Sequence, residues 1–383
     1  MHSYAPLVRG HLDPLSALRE SLNLPALLAD YVHGRALAEI LPTPMRESVT
    51  PQRIEVCAVA GGRVLLSAET VNEDGVRGDE LDILHVDDGA ICLAPVDLNE
   101  ALQRVHAGAM LALLGSDTDA VLHLALMEDK PWGPGKNEAG GARQVSTGKE
   151  NPTSNEAAVV GEREPRMRWE TLRTVGHLLS DDDTQKALMA TALAAWHDQM
   201  RFCPACGQRP EPWASGWVRR CPACGHMEYP RQDPAVIMTV VDRLDRVLLA
   251  HNRAWSDRRV SVLAGFVDAG EAPERAVVRE VWEEVGLRVA EVETVATQPW
   301  PFPRSLMLGY HARLDEGDAG SEQGAAGMAV PIPDGTEIEW ASFYSRGELV
   351  EAVRSGDIVL PGPSTIAHGL LRRWFGGALP GCE

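Results

Sequence analysis

The stretch Gly265–Leu287 reads GFVDAGEAPERAVVREVWEEVGL, and its spacing decides the architecture of the carboxy-terminal half. Glu280, Glu283 and Glu284 stand at i, i+3 and i+4, which puts them on one face of a helix. Three like charges on one face repel one another, so the pattern calls for a cation to offset them. A divalent metal is the natural partner, because hard Mg²⁺ and Mn²⁺ prefer carboxylate and phosphate oxygens. Upstream, Gly265 and Gly270 allow close backbone approach. Glu271 and Arg279 are opposite in charge and are expected to brace the loop against the helix. Gly286 is expected to end the helix as its C′ residue. The competing reading of Glu-Glu pairs alone is an ordinary solvated acidic face. The full set of glycines, glutamates and Arg279 at fixed spacing argues against it.

Working outward, a strand–strand pattern precedes this element (Ala235–Val241, Arg246–His251), and a strand follows it (Val289–Thr297). The helix itself is expected over about 273–285. The chain then closes with Ile338–Tyr344 as a strand and helices near Gly347–Ser355 and Thr365–Phe375. Asp315–Gly327 is Gly-, Ala- and acid-rich and reads as a surface loop. Just upstream, Cys203-Pro-Ala-Cys206 and Cys221-Pro-Ala-Cys224 are separated by 14 residues. Each pair forms a tight knuckle, with Gly207 and Gly225 directly after it. Four thiolates in a tetrahedron suit Zn²⁺, and with no open position the site is structural. A redox role is the weaker reading, since a lone redox motif would not come doubled.

The first 200 residues are less informative. Short alternating or apolar runs at Arg53–Val59, Arg63–Ala68, Leu81–His85, Ala90–Pro95 and Ala120–Leu126 read as an antiparallel β-rich domain. Residues 127–167 lose periodicity and gain glycine and proline, which reads as a disordered or loop insertion. Asp181–Thr184 offers N-caps for a closing helix through about Gln199.

The chain has 383 residues, 36 basic against 55 acidic, and a net charge of −19. That size argues for two or three domains, and the charge is poor material for general nucleic-acid binding. Arginines near 201, 209, 219, 220 and 231 form a local exception. No apolar h-region follows Met1–Gly10 and no run approaches 18 apolar residues, so neither a signal peptide nor a membrane span is expected. The doubled CxxC among seven cysteines points to metal binding in a reducing compartment, and hence to the cytoplasm. Cys57, Cys92 and Cys382 are scattered and read as buried or idle thiols.

The fixed positions Gly265, Glu271, Arg279, Glu280, Glu283, Glu284 and Gly286, with apolar Val281 and Leu287, fill the pattern Gx5Ex7REUxEExGU. This resembles the Nudix box. The resemblance implies an α/β/α sandwich around a mixed sheet and hydrolysis of a diphosphate linked to a nucleoside. It implies that Glu280 and Glu284 hold Mg²⁺ or Mn²⁺, with Glu283 a further ligand or a general base. Eleven residues beyond the box, Gln298-Pro299-Trp300-Pro301-Phe302-Pro303-Arg304-Ser305 is dense in proline and aromatic rings, and by itself reads as a rigid segment offering flat apolar surface. At this spacing, after a four-cysteine module and a Nudix box, it resembles the NADH pyrophosphatase group, over roughly Trp196–Phe375.

That resemblance implies a homodimer that splits NAD(H) into nicotinamide mononucleotide and AMP. It implies substrate contacts at Tyr229, at Gln298 through Ser305 and at Ala367. It implies further metal ligands at the Ala264 carbonyl and at Glu337, with Glu339 a rival for the latter. Three positions depart from it or fit it loosely. Arg304 replaces an uncharged residue and is a candidate phosphate contact. Gly216 stands where some relatives carry an acidic substrate contact. Arg173 resembles an upstream basic ligand, one residue off in its spacing to Cys203. The expected organisation is a β-rich domain over 1–200, a zinc ribbon over 201–232 and the Nudix domain over 233–383. Removal of an NAD cap from RNA requires the same cleavage, ADP-ribose is a related substrate, and a catalytically silent binding module is the reading from another class.

Overall fold

A computed structural model of the chain describes residues 19, 22–41, 53–68, 91–116, 121–130, 166–256, 258–315 and 329–381. The Leu81–His85 run, most of the 127–167 and 315–327 segments, and Cys382 lie outside the described residues.

In the amino-terminal region, strands β1 (Arg53–Ala60), β2 (Arg63–Ala68), β3 (Ile91–Leu93), β4 (Met110–Ser116), β5 (Val121–Glu128) and β6 (Arg166–Glu170) form one sheet of order β3-β2-β1-β5-β4, with β6 on β2. The sheet is not purely antiparallel, as the sequence had suggested: β1 and β5 run parallel over all eight residues. The alternation signal carries no strand direction. Both strands are central and buried on both faces, so they read as near-continuous apolar runs. Two ends of the expected insertion are also ordered strand, since β5 reaches Glu128 and β6 begins at Arg166. Helices Leu24–Val32 and Leu98–His106 cover one face of the sheet. The helix Asp181–Gln199 covers the other, with Ala187, Leu188, Ala190 and Leu193 against Cys57, Val59 and Leu114. Ser180 caps that helix through the amide of Asp183.

The carboxy-terminal half builds a mixed sheet from β10 (Asp233–Val241), β11 (Val247–Asn252), β12 (Leu263–Phe266), β13 (Val289–Trp300), β14 (Ser305–Leu314) and β15 (Ile338–Tyr344). Its order is β13-β14-β10-β11-β15, with β12 on β10; β10 and β14 are parallel and the other pairs antiparallel. The helix Pro273–Val285 packs Ala276, Val277, Val281 and Val285 on one face. Helices Arg346–Arg354 and Ile366–Phe375 cover the other, with Leu349, Leu370 and Leu371 buried. This is the α/β/α sandwich expected. The proline-rich segment reads as rigid from its sequence, and in the fold Gln298–Trp300 ends β13 and pairs with Met307–Ser305. Pro299 is tolerated there because β13 is an edge strand, where a missing N–H costs no ladder bond. Among the described residues no helix is long and apolar enough to cross a membrane.

Between the two sheets lies the cysteine module, with β7 (Glu211–Trp213), β8 (Val218–Arg220) and β9 (Met227–Glu228). Its junction with the amino-terminal sheet is closely packed. The Trp217 indole N–H donates to the Leu113 carbonyl at 2.7 Å. His197 is 1% exposed, and its Nε2 meets the Gly216 carbonyl at 2.8 Å. The Arg219 Nε–H can only donate, so His197 Nδ1 accepts it at 2.9 Å and the ring is neutral. Burial accordingly pushes His197 down to about 4. Gly216 has φ +86°, and a Cβ there would lie 2.8 Å from the Cβ of Ala112 and 2.9 Å from the Leu111 carbonyl. That junction excludes any side chain at 216, which explains the absent acidic contact. Gly216→Ala is expected to cost about 1–3 kcal/mol by chemical denaturation; an unchanged midpoint would contradict the packed junction.

Candidate active site and zinc centre

The carboxylate helix begins at Pro273, a favoured first residue, and ends where Gly286 turns left-handed at φ 66°. Arg279 organises the loop before it. Its guanidinium donates twice to Glu271 (2.9 and 2.7 Å), to Glu280 at 2.7 Å, to Glu283 at 2.9 Å and to the Phe266 carbonyl at 2.8 Å. The expected Glu271–Arg279 brace is therefore present, and Arg279 draws the Glu271 carboxyl down to about 2. One cation thus clamps the loop onto the helix and neutralises part of the acidic face.

The three glutamates do not share one environment. Glu283 is 54% exposed at its side chain, while Glu280 is 14% exposed. Glu280 lies so close under Gly265 that a Cβ there would fall 1.9 Å from the Glu280 carboxyl carbon. This packing sets the Glu280 carboxylate against the strand carrying Ala264. Glu284 is 6% exposed, and its Oε2 has no hydrogen-bond partner among the described residues. Burial first, then the charges of Glu280, Glu337 and Asp334, push Glu284 up to about 9. Burial also raises Glu280, against the opposing pull of Arg279.

Glu337 arrives from the loop before β15. It repels both Glu280 and Glu284, so it faces the same space. The rival Glu339 instead points toward His251, 3.8 Å away. Two residues that position Glu337 escaped the sequence reading. Asp334 accepts the amides of Glu337 and Ile338, and its own amide binds the Glu284 carbonyl at 3.0 Å. The Asp334-Gly335 dipeptide is a legible turn signal, and it marks this device. Asn252 donates to Glu337 at 3.1 Å, and both line an open pocket with Arg253, Ala254 and Thr336. A buried, orphaned carboxylate oxygen near like charges, beside a glycine cradle, has the chemistry that a hard divalent cation would relieve, although among the described residues these carboxylates are not drawn as close together as the four cysteine sulfurs.

The Gln298–Ser305 segment is distributed differently from an open binding surface. Gln298 is fully buried, and its amide donates to the Ser364 carbonyl at 2.9 Å while its Oε1 has no partner among the described residues. The Ser364 hydroxyl accepts the His177 amide at 3.2 Å and pairs with His177 Nδ1 at 2.9 Å, which ties this strand to the amino-terminal half. Trp300 and Phe302 are edge to face at 5.0 Å and pack on the amino-terminal core. Arg173 is brought to them, 5.6 and 5.0 Å from the two rings. Pro301 is buried, Pro299 and Pro303 are exposed, and Ser305 is half-buried. Arg304 is ion-paired with Asp233 at 2.6 Å and hydrogen-bonded to Gln199. The Ala367 side chain is 4% exposed in the core, which leaves its backbone N–H, in the first turn of Ile366–Phe375, as the group able to meet a ligand. Tyr229 is 58% exposed.

The cysteine module repeats one knuckle twice. The Cys203 amide binds the Gln208 carbonyl and the Gly207 amide the Cys203 carbonyl; Cys221, His226 and Gly225 repeat this pattern. Gly207 and Gly225 sit at φ 74° and 75°. The four sulfurs lie within 4.8 Å of one another, with Cys203–Cys224 at 3.7 Å and Cys206–Cys221 at 3.4 Å. Zinc–sulfur bonds of about 2.3 Å in a tetrahedron require sulfur separations of about 3.8 Å, so the set fits Zn²⁺.

Residues 231–355 match the family model for the NUDIX domain, and residues 198–229 match that for the NADH pyrophosphatase zinc ribbon domain. Residues 231–355 thus carry a NUDIX domain. The ribbon ahead of it is similar to that of NADH pyrophosphatases. A Mycobacterium bovis protein named NAD-capped RNA hydrolase NudC is 42% identical over 211 residues, covering 53% of this chain and 64% of that protein. A Pseudomonas aeruginosa protein of the same name is 40% identical over 187 residues, covering 48% and 62%. The chain thus spans less than two thirds of the length of these relatives. Among solved structures, a NUDIX hydrolase from Nitrosomonas europaea aligns at 19% identity over 48% of this chain and 97% of its own, with a TM-score of 0.33.

Two predictions follow from the charges and the sulfurs. Without added Mg²⁺ or Mn²⁺, folded Glu284 keeps its proton up to about pH 9, whereas the unfolded chain releases it near pH 4.3. Stability therefore falls as pH rises through that window. Glu284→Gln is expected to melt above the parent, by a margin that widens from pH 5 to pH 8 and narrows when Mn²⁺ is added. A variant that melts lower at pH 8 without the cation would contradict the buried, uncompensated carboxylate. Separately, Cys221→Ser is expected to lower bound zinc by metal analysis and to destabilise the ribbon; full zinc content and unchanged melting would exclude the structural role.

Proposed function

We propose that this chain is a metal-dependent diphosphatase that cleaves NAD(H) to nicotinamide mononucleotide and AMP. The observation that carries this reading is the orphaned, buried Glu284 oxygen among the charges of Glu280, Glu337 and Asp334. In the proposal, Glu280, Glu284, Glu337 and the Ala264 carbonyl hold Mg²⁺ or Mn²⁺. Such an ion, when bound, would offset the charge of the diphosphate and ease deprotonation of the attacking water. Water attacks one phosphorus, the bridging P–O bond breaks, and the departing phosphate leaves on its own nucleotide. Glu283, exposed and tethered by Arg279, takes the water proton or adds a ligand. Arg279 holds the loop at the distance the substrate needs.

The NAD(H) assignment is supported by the ribbon match and by the Gln298–Ser305 segment. Tyr229, the half-buried faces of Trp300 and Phe302, Pro299, Pro303, Ser305 and the Ala367 amide are the proposed substrate contacts, and the buried Pro301 stiffens the segment behind them. Gln298 holds this strand from behind, and Arg304 serves through Asp233. A second reading, removal of an NAD cap from RNA, is consistent with the names of the relatives and uses the same cleavage. We also propose a homodimer, on the family resemblance, and a cytoplasmic setting, on the paired thiols.

The test compares NADH, ADP-ribose and NAD-capped RNA with Mg²⁺ or Mn²⁺, with products identified by mass. Reduced nicotinamide mononucleotide and AMP from NADH are expected, with turnover lost by about 100-fold or more in Glu284→Gln, the scale of removing one charge-stabilising group. A strong preference for ADP-ribose would overturn the substrate assignment, and near-normal turnover in Glu284→Gln would overturn its role.

A further inference from the structure

The zinc ribbon presents a surface that the proposed hydrolysis does not use. Strand register pairs Glu211 with Arg220 and Arg220 with Met227, so these residues share one face; Pro212, Arg219 and Glu228 share the other. The second face is turned inward, because Arg219 is bonded to the buried His197 and to the Pro210 carbonyl. On the first face Glu211, Trp213, Arg220 and Met227 are exposed, while Val218, opposite Trp213, is buried. This face carries Trp213 at 42%, Met227 at 37% and, just beyond β9, Tyr229 at 58% exposure. Arg220 lies 5.2 Å over the Trp213 ring. Beside the first knuckle, Arg209 lies 5.7 Å over Phe202, which is 59% exposed.

The charge of this module runs against that of the chain. Residues 201–232 hold five arginines and two glutamates, within a chain of net charge −19. Arg219 is used inward, Arg201 pairs with Asp198, and Arg231 pairs with Asp233. Arg209 and Arg220 form no ion pair among the described residues, and each is spread on an aromatic ring instead. Exposed rings interleaved with unneutralised guanidinium groups suit unpaired bases and their phosphates, because every base offers a flat face and every linkage a negative charge.

We propose that the Trp213–Arg220–Met227 face of the ribbon, with Phe202 and Arg209, binds the single-stranded RNA that follows an NAD-type cap. This rests on the proposed NAD(H) diphosphatase site, and Tyr229 joins the two: it is a proposed base contact of that site and borders this face.

The experiment uses the full chain with zinc and Mn²⁺, and the double variant Trp213→Ala/Arg220→Ala. Turnover of NADH and of a 20-nucleotide NAD-capped RNA is measured, along with anisotropy of the same RNA bearing a 5′-monophosphate. The expected result is unchanged NADH turnover and zinc content, a loss of roughly 10-fold or more in kcat/KM for capped RNA, and a similar loss in RNA binding that disappears at high salt. Equal losses on NADH and capped RNA, no loss on either, or no RNA binding by the parent would overturn the proposal. A change of sedimentation state in the variant would also overturn it, by assigning the face to self-association. Failure of the parent to cleave NADH or capped RNA would instead refute the diphosphatase site, and the anisotropy arm would still decide the surface.

Discussion

The structure turns on how one guanidinium is shared among too many carboxylates. Arg279 satisfies Glu271, Glu280 and Glu283 and holds the Phe266 carbonyl. It does not satisfy Glu284. The loop can sit tightly on the helix only because Gly265 lacks a side chain where Glu280 packs. The same geometry buries Glu284 beside Glu280 and Glu337 with an oxygen left orphaned. Hydrophobic packing of Val277, Val281 and Val285 fixes the helix against the sheet, so the charges cannot spread apart. A fold that keeps such an arrangement gives up stability at a place where a cation would restore it.

The amino-terminal sheet supports this site at long range. His177 holds Ser364, and Ser364 accepts the buried amide of Gln298. Trp300 and Phe302 then rest on the core under the Asp181–Gln199 helix. The end of that helix carries His197, which joins the ribbon through Gly216 and Arg219. The edge strand β13 is thus held from two sides, by the loop before Ile366–Phe375 and by the amino-terminal core.

What could be read from the sequence follows the range of the interactions. The carboxylate helix, its end at Gly286 and the cysteine knuckles depend on residues a few positions apart, and their spacing was visible directly. The Glu271–Arg279 brace was legible for the same reason. The parallel pairing of β1 with β5 was not, because two buried central strands show no alternation and no direction. Nor was the division of labour within the glutamates, since Glu283 and Glu284 differ only in what the rest of the fold places over them. Gln298 looked like a binding residue from its motif, yet its burial depends on Ser364, 66 residues away. Asp334 was overlooked although Asp-Gly marked a turn, because its partners only become evident when the loop meets the carboxylate helix. Gly216 departed from the family pattern for a reason found in β4, far away in sequence.

The central claim is that Glu280, Glu284 and Glu337 form one cation site. Its most direct test is a Mn²⁺ titration followed by electron paramagnetic resonance of the free ion, on the zinc-loaded protein. The account predicts that the parent and Glu339→Gln bind Mn²⁺ alike, while Glu280→Gln, Glu284→Gln and Glu337→Gln each weaken binding by roughly 10-fold or more. Parent-like binding in Glu284→Gln, or a loss confined to Glu339→Gln, would contradict it.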